Sequence, residues 1–294
     1  MNQCDEPRMR SRTARVACLI IAAGLSQGTR GQVPGAPVTA VATEITSRIT
    51  AIVPHIDTEL FIENTLIEGT GTSREFETAP LEPQKTYEYK VTVRWRPNNY
   101  TVMTRTKTVR IRAGDEVAVD LTIDDPHDRA EIRYVPTPAQ IVTAMIDLAR
   151  VSRDDVVYEP GCGDARITIA AVNAGAKKGV GIDIDPERVA ESKVNVKAAK
   201  LEDKIDIRRG DALDIQDLSE ATVVFLYMGD EFNLLIRPIL WKQLKVGSRI
   251  VSHRFTMGDW KPDRTIGVAV DDSPDYELHL WTITQDVKEK AERD

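Results

Sequence analysis

The sequence has few of the residues that would mark a disulfide scaffold, a metalloprotein or a nucleic-acid clamp. It contains three cysteines, and Cys4 and Cys18 both lie before residue 30, so a chain processed there would keep Cys162 alone and could form no internal disulfide. The histidines, His55, His127, His253 and His279, are scattered without ligand spacing, so no metal site is expected. The net charge of -7 argues against gripping nucleic acid through an overall positive field, although a local basic patch stays compatible with it. The apolar run VACLIIAAGL, about ten residues, is too short to span a bilayer. No segment reads GK followed by Ser or Thr, which excludes a Walker phosphate loop. Internal repeats and low-complexity tracts are absent.

That apolar run follows Arg8, Arg10, Arg12 and Arg15 and gives way to small and polar residues. Residues 1–30 therefore read as a signal-peptide-like leader, with a buried N-terminal helix as the bland alternative. With the leader removed, no transmembrane span remains. The protein is then expected outside the cytoplasm, periplasmic or cell-envelope, and in the cytoplasm otherwise.

Residues 31–47, GQVPGAPVTAVATEITS, are rich in Gly, Pro, Ala and Thr and read as a linker. Over 48–124 the apolar period is two. Tyr87, Tyr89, Val91, Val93 and Trp95 fall on one face, and Val117, Val119, Leu121 and Ile123 on another, with turns at EGTGTS, LEPQ, RPNN and AGDE. This predicts a small antiparallel β-sandwich. The segments TAPLEP, TYEYKVTV and RAGDEVAVDL resemble small PEGA-like bacterial β domains, and more closely a domain of unknown function. The resemblance implies no chemistry. Trp95 and Tyr100 read as core and hairpin packing.

A charged linker over 125–133 leads into alternating strands and helices over 134–287, followed by a charged tail, 288–294. Thr137 and Pro138 predict a helix N-cap and first turn. The succession predicts an α/β fold, a Rossmann-like doubly wound sheet. IGVAVD and YELHLWTIT around DDSPD predict a C-terminal antiparallel hairpin.

In such a sheet the ligand lies at the carboxyl ends of the strands, and EPGCGDAR is the first strand-to-helix turn. A dinucleotide fingerprint starting at Gly161 would need glycine where Arg166 stands. The turn instead has Glu159 before Gly161 and Gly163, with small Ala165 closing an acidic-x-Gly-x-Gly-x-small pattern. A carboxylate at the strand tip repels phosphate and suits an ammonium group. Asp183 ends the second strand, where it can accept both hydroxyls of a ribose, and Asp211 after the third can reach an adenine amino group. Asp185 ahead of Pro186 predicts a helix cap.

With Glu159, Gly161, Gly163, Ala165, Asp183 and Asp211 in this order, the chain resembles class I, seven-stranded, S-adenosylmethionine-dependent methyltransferases. YVPTP, GDAR and VSHRFTMGDWKP resemble short mitochondrial and bacterial protein-lysine methyltransferases, related to those acting on the ATP synthase c-subunit and the adenine nucleotide translocase. The resemblance implies S-adenosyl-L-methionine as cofactor, a protein lysine as acceptor, and Tyr134 and Thr137 beside the cofactor. Cys162 joins the cofactor turn as a small filler, not a nucleophile. Base methylation of nucleic acid is disfavoured because LYMGDE stands where those enzymes carry Asn or Asp, Pro-Pro and an aromatic.

Methyl transfer needs alignment and exclusion of water, and a lysine acceptor must lose a proton. Tyr227 and Trp260 are the candidates for an aromatic wall, and His253 for a proton acceptor. Asp230 or Glu231 could steer the amine, and the bland reading of Asp230 is a helix cap. Two other readings stay open. One is an exported binding or scaffold protein with a catalytically silent methyltransferase fold, and the other a nicotinamide-dependent dehydrogenase in which Arg166 swings clear.

Overall fold

The computed structural model describes residues 45–270 and 273–293. The leader, most of the 31–47 linker and part of the DDSPD turn lie outside these residues. The chain divides into two compact units. One runs to Pro97 and resumes over Met103–Asp128; the other comprises Asn98–Val102 and the chain from Arg129 onward.

The first unit is built from β1 (Arg48–Ile52), β2 (Glu59–Ile62), β3 (Thr65–Ile67), β4 (Ser73–Glu77), β5 (Thr86–Trp95), most of β6 (Thr101–Arg112) and β7 (Glu116–Asp120). One small sheet has the order β4-β1-β7, and in a second β3, β2, β5 and β6 lie side by side. Tyr89, Val91, Val93 and Trp95 are buried while their neighbours are not, as period-two alternation requires. All these pairings are antiparallel except β1 with β7, which the chain reaches only after the intervening strands. Ile123 departs from the expected face and is 61% exposed. The strand ends at Asp120, whose carboxylate accepts the Thr122 N–H at 2.8 Å and turns the chain. Ile45 and Ser47, expected in the linker, already pack here, Ile45 bridging Leu81 and Ser47 Oγ donating to Arg112 O at 2.7 Å.

The second unit contains β8 (Arg129–Ile132), α1 (Ala139–Ala149), β9 (Val156–Pro160), α2 (Arg166–Asn173), β10 (Lys178–Asp183), α3 (Pro186–Ala198), β11 (Ile205–Arg209), β12 (Val223–Leu226), α4 (Asp230–Gln243), β13 (Arg249–His253), β14 (Arg264–Val270), β15 (Ser273–Thr282) and α5 (Gln285–Arg293). Its seven-stranded sheet has the order β11-β10-β9-β12-β13-β15-β14. The strands are parallel up to β13, and β15 pairs antiparallel with both β13 and β14. This is the expected doubly wound sheet with its closing hairpin. Residues of each strand alternate between two cores: Val157, Val223, Phe225 and Val251 face α1, α2 and α3, whereas Tyr158, Val224, Leu226 and Ile250 face α4.

Two local details differ from expectation. The helix α1 begins at Ala139 because Pro138 is extended (ψ 145°), and no side chain, that of Thr137 included, caps it. Most of the charged tail is the end of α5, whose Lys288 Nζ donates to the carbonyls of Trp241, Lys242 and Leu244 near the end of α4. No helix among the described residues is long and apolar enough to cross a membrane.

Candidate functional site

Strand order reverses between β9 and β12, and a cleft opens at the carboxyl ends of β9, β10 and β12. Its empty space, open mouth included, is about 920 Å³. Glu159, Gly161 and Cys162 line it from the first turn, Asp183 from the tip of β10, Asp211 from after β11, and Tyr227 and Met228 from after β12. The segment from β8 to Thr137 forms a further wall that includes Tyr134.

The turn after β9 is held by protein acceptors. Gly161 and Cys162 donate their N–H groups to Ile182 O, Gly163 to Asp183 Oδ2 at 2.8 Å, Ala165 to Cys162 O and Arg166 to Asp164 Oδ1. A phosphate-binding nest needs free amides pointing at the anion, and these amides are occupied. The Arg166 guanidinium is likewise engaged, forked on Asp164 (2.6–3.0 Å) and donating to Thr137 O at 3.0 Å. It therefore fastens the turn to the segment before α1. GDAR carries this pair at close spacing, but the clasp to Thr137 is visible only in the fold.

Gly161 and Gly163 take positive φ, +71° and +54°. A Cβ on Gly163 would lie 2.3 Å from Tyr134 Cε2, and one on Gly161 2.0 Å from Met228 Sδ. The bare backbone thus allows two cleft-lining side chains to close directly on the turn. Arg188 of α3 covers the Tyr134 ring at 4.9 Å. The Cys162 thiol packs beside Gly181 and is pushed far up by burial, which suits a filler and disfavours a thiolate.

Both strand-tip carboxylates face the cleft. Asp183 accepts Gly163 N–H and Asp185 N–H, one on each oxygen, and desolvation raises its pKa against those two bonds. Each oxygen keeps a lone pair for a hydroxyl donor. Glu159 accepts the N–H (2.9 Å) and hydroxyl (2.5 Å) of Thr168 on Oε2. Burial pushes its carboxyl up to about 8 despite those bonds. A buried carboxyl of this kind is ionised most readily by a cation placed beside it. Asp211 donates nothing and accepts Leu213 N–H, with Arg129 at 3.6 Å from its other oxygen. Asp185 caps α3 by accepting Glu187 N–H at 2.7 Å, ahead of Pro186.

The acceptor-side candidates separate. Tyr227 lines the cleft and stacks on His253 with ring centroids 4.0 Å apart. Desolvation raises its phenol, with the Arg254 cation opposing. The other two candidates do not line the cleft. His253 is fully buried behind Tyr227, neither ring nitrogen has a partner, and burial pushes it down to about 4, so it is not placed to take a proton from a ligand in the cleft. Trp260 lies away from the cleft, packed edge-on to Trp241 and against Trp281, whose Nε1 donates to its carbonyl at 2.8 Å. Asp230 is the first residue of α4, with Gly229 at the cap, and accepts Thr256 N–H and Oγ1. Among the described residues no three His, Cys, Asp or Glu side chains stand together as a metal site requires.

Part of this unit matches known proteins in sequence. Residues 159–264 match the ANTKMT methyltransferase domain. A protein-lysine N-methyltransferase of Saccharolobus islandicus is 39% identical over 153 residues, covering 52% of this chain and 94% of that protein. The adenine nucleotide translocase lysine N-methyltransferase of Mus musculus is 26% identical over 151 residues, 51% of this chain and 65% of that one. A crystal structure of an RNA methyltransferase from Salinibacter ruber in complex with S-adenosyl-L-homocysteine is 44% identical, covering 51% of this chain and 95% of that one, with a TM-score of 0.47. With its seven-stranded sheet and this span of identity, the chain belongs to the family of S-adenosylmethionine-dependent methyltransferases related to the protein-lysine N-methyltransferases.

Proposed function

We propose that the cleft binds S-adenosyl-L-methionine and that the chain methylates a lysine side chain of a protein. The observation that carries the cofactor reading is the pairing of two cleft-facing carboxylates, Glu159 and Asp183, with a turn whose amides are already engaged. Such a site offers acceptors to ligand hydroxyls, and an ammonium group placed beside Glu159 favours its ionised form. The same engaged amides and clasped Arg166 speak against the dinucleotide reading. Glu159 would face the ammonium group, Asp183 the ribose and Asp211 the adenine side, with Tyr134, Thr137, Gly161, Cys162 and Gly163 shaping the walls. When bound, the cofactor supplies a methyl group on a sulfonium, open to in-line displacement.

Tyr227 is then the wall that the acceptor meets. Its ring excludes water and disfavours an ammonium charge, which matters because deprotonating a lysine at neutral pH costs about 4 to 5 kcal/mol. The lysine acceptor is supported by the Saccharolobus and mouse relatives, both described as lysine N-methyltransferases. The leader-like N-terminus favours a second reading, an exported protein that keeps the fold without turnover. Mass spectrometry of the mature N-terminus decides between an exported and a cytoplasmic protein.

Incubation with methyl-labelled S-adenosylmethionine and proteins of the source cell, followed by mapping of the label, tests the proposal. Label on lysine Nζ supports it. Tight binding of S-adenosylhomocysteine with no label on any protein supports the silent scaffold, and label confined to RNA contradicts the lysine assignment.

A further inference from the structure

Residues Asn98–Val102 lie far outside the segment that matches the family domain, yet they belong to the methyltransferase unit. The Asn98 carboxamide organises them. Its Oδ1 accepts the N–H groups of Tyr100 (3.1 Å) and Thr101 (2.8 Å), and its Nδ2 donates to Glu231 Oε1 at 3.0 Å. Thr101 Oγ1 donates to the other Glu231 oxygen at 3.3 Å. Glu231, at the start of α4, is therefore occupied in holding this loop and is not free to steer a substrate. Gly229, with φ +95°, lies alongside, and a Cβ there would be in ordinary contact with Tyr100 Cε2 at 3.4 Å.

The loop also touches the cleft's own wall, since Arg133, which lines the cleft, donates its N–H to Tyr100 O at 2.8 Å. The Tyr100 ring meets Phe255 at 5.5 Å, and Phe255 stacks with Tyr227 at 5.7 Å and 24°. A row of three aromatic rings thus starts at the cleft and ends on Tyr100. The carboxylates of Glu231 and Asp230 act on the outer end of this row, and the Arg254 cation opposes them. Simple packing explains a ring on Phe255. It does not explain why the loop that carries the ring is fastened both to the cleft wall and to the residues that follow β12.

We propose that Tyr100 is a specificity-determining residue of the acceptor site, the outer member of an aromatic row, continued by Phe255 and Tyr227, along which a primary amine approaches. The inference rests on the lysine-methyltransferase reading above. Aromatic faces attract the ammonium on approach, and the same rings strip its water as it nears Tyr227.

The test uses the full chain, labelled S-adenosylmethionine and poly-L-lysine as the acceptor probe, with S-adenosylhomocysteine affinity measured alongside. Tyr100→Ala is expected to raise KM for poly-L-lysine by about tenfold with kcat less affected, while S-adenosylhomocysteine binding stays intact. Tyr100→Phe restores most of the loss, and Asn98→Ala, which releases the loop, shifts KM in the same direction. An unchanged KM in Tyr100→Ala, or a parallel loss of S-adenosylhomocysteine binding, overturns the inference. Wild-type protein that binds S-adenosylhomocysteine but never labels poly-L-lysine also overturns it, and leaves the cofactor reading standing. If S-adenosylhomocysteine does not bind at all, the cofactor reading itself fails.

Discussion

The Asp183 carboxylate accepts the Gly163 N–H at 2.8 Å, so the tip of β10 fixes the turn that follows β9. One side chain thereby shapes the cleft and offers it acceptor lone pairs. Asp183→Ala removes the acceptor for Gly163 and Asp185 together, leaving two amides without partners. A loss of about 1 to 3 kcal/mol in stability is expected by urea unfolding, with S-adenosylhomocysteine binding abolished at the concentrations that saturate wild type.

Gly163→Ala separates the turn's shape from its charge. At φ +54° an alanine costs about 1 to 2 kcal/mol, and its Cβ collides with the Tyr134 ring. Thermal unfolding should register the strain. S-adenosylhomocysteine affinity should fall by about tenfold because Tyr134 is displaced from the wall.

Glu159 gives the site a pH signature. Its folded pKa, about 8, stands above the ordinary value of 4.5, so the folded chain binds more protons than the unfolded one between them. This group's contribution to stability therefore declines as pH rises from about 4.5 to about 8. A ligand ammonium beside it favours the ionised form, so binding below pH 8 releases a proton and affinity rises with pH until it levels off near 8. Calorimetry in buffers of different ionisation enthalpy measures that proton, which should vanish in Glu159→Gln.

The sign is reversed for His253. Its folded pKa, about 4, lies below the ordinary 6.5, so the unfolded chain binds the extra proton. Stability is then lost as pH falls from about 6.5 through about 4, by up to about 3 kcal/mol. His253→Phe should flatten that part of the urea-midpoint profile while keeping a ring against Tyr227.

The doubly wound sheet and the Glu159, Gly161, Gly163 and Asp183 cluster were legible because each signal is local: a strand, a bare-backbone bend, a carboxylate at a strand tip. The acceptor side was not. His253 and Trp260 lie in one short segment with Tyr227's neighbours, and their direction is set by β15, which pairs antiparallel with β13 and brings Trp281 under Trp260. Nothing in the period of VSHRFTMGDW encodes that pairing. In sequence Tyr100 reads as hairpin packing because the partners of its loop, Glu231 for Asn98 and Thr101 and Phe255 for the Tyr100 ring, are more than a hundred residues away. Asn98 and Thr101 carry ordinary turn chemistry and give no sign of them.

The central claim is that the cleft is built for an adenosyl ligand that carries an ammonium group and no phosphates, and calorimetric titration of the full chain with S-adenosylhomocysteine and with NAD tests it most directly. Saturable binding of S-adenosylhomocysteine that disappears in Asp183→Ala, with no heat from NAD, is the predicted result. Binding of NAD, or S-adenosylhomocysteine affinity that survives loss of the Asp183 carboxylate, would contradict it.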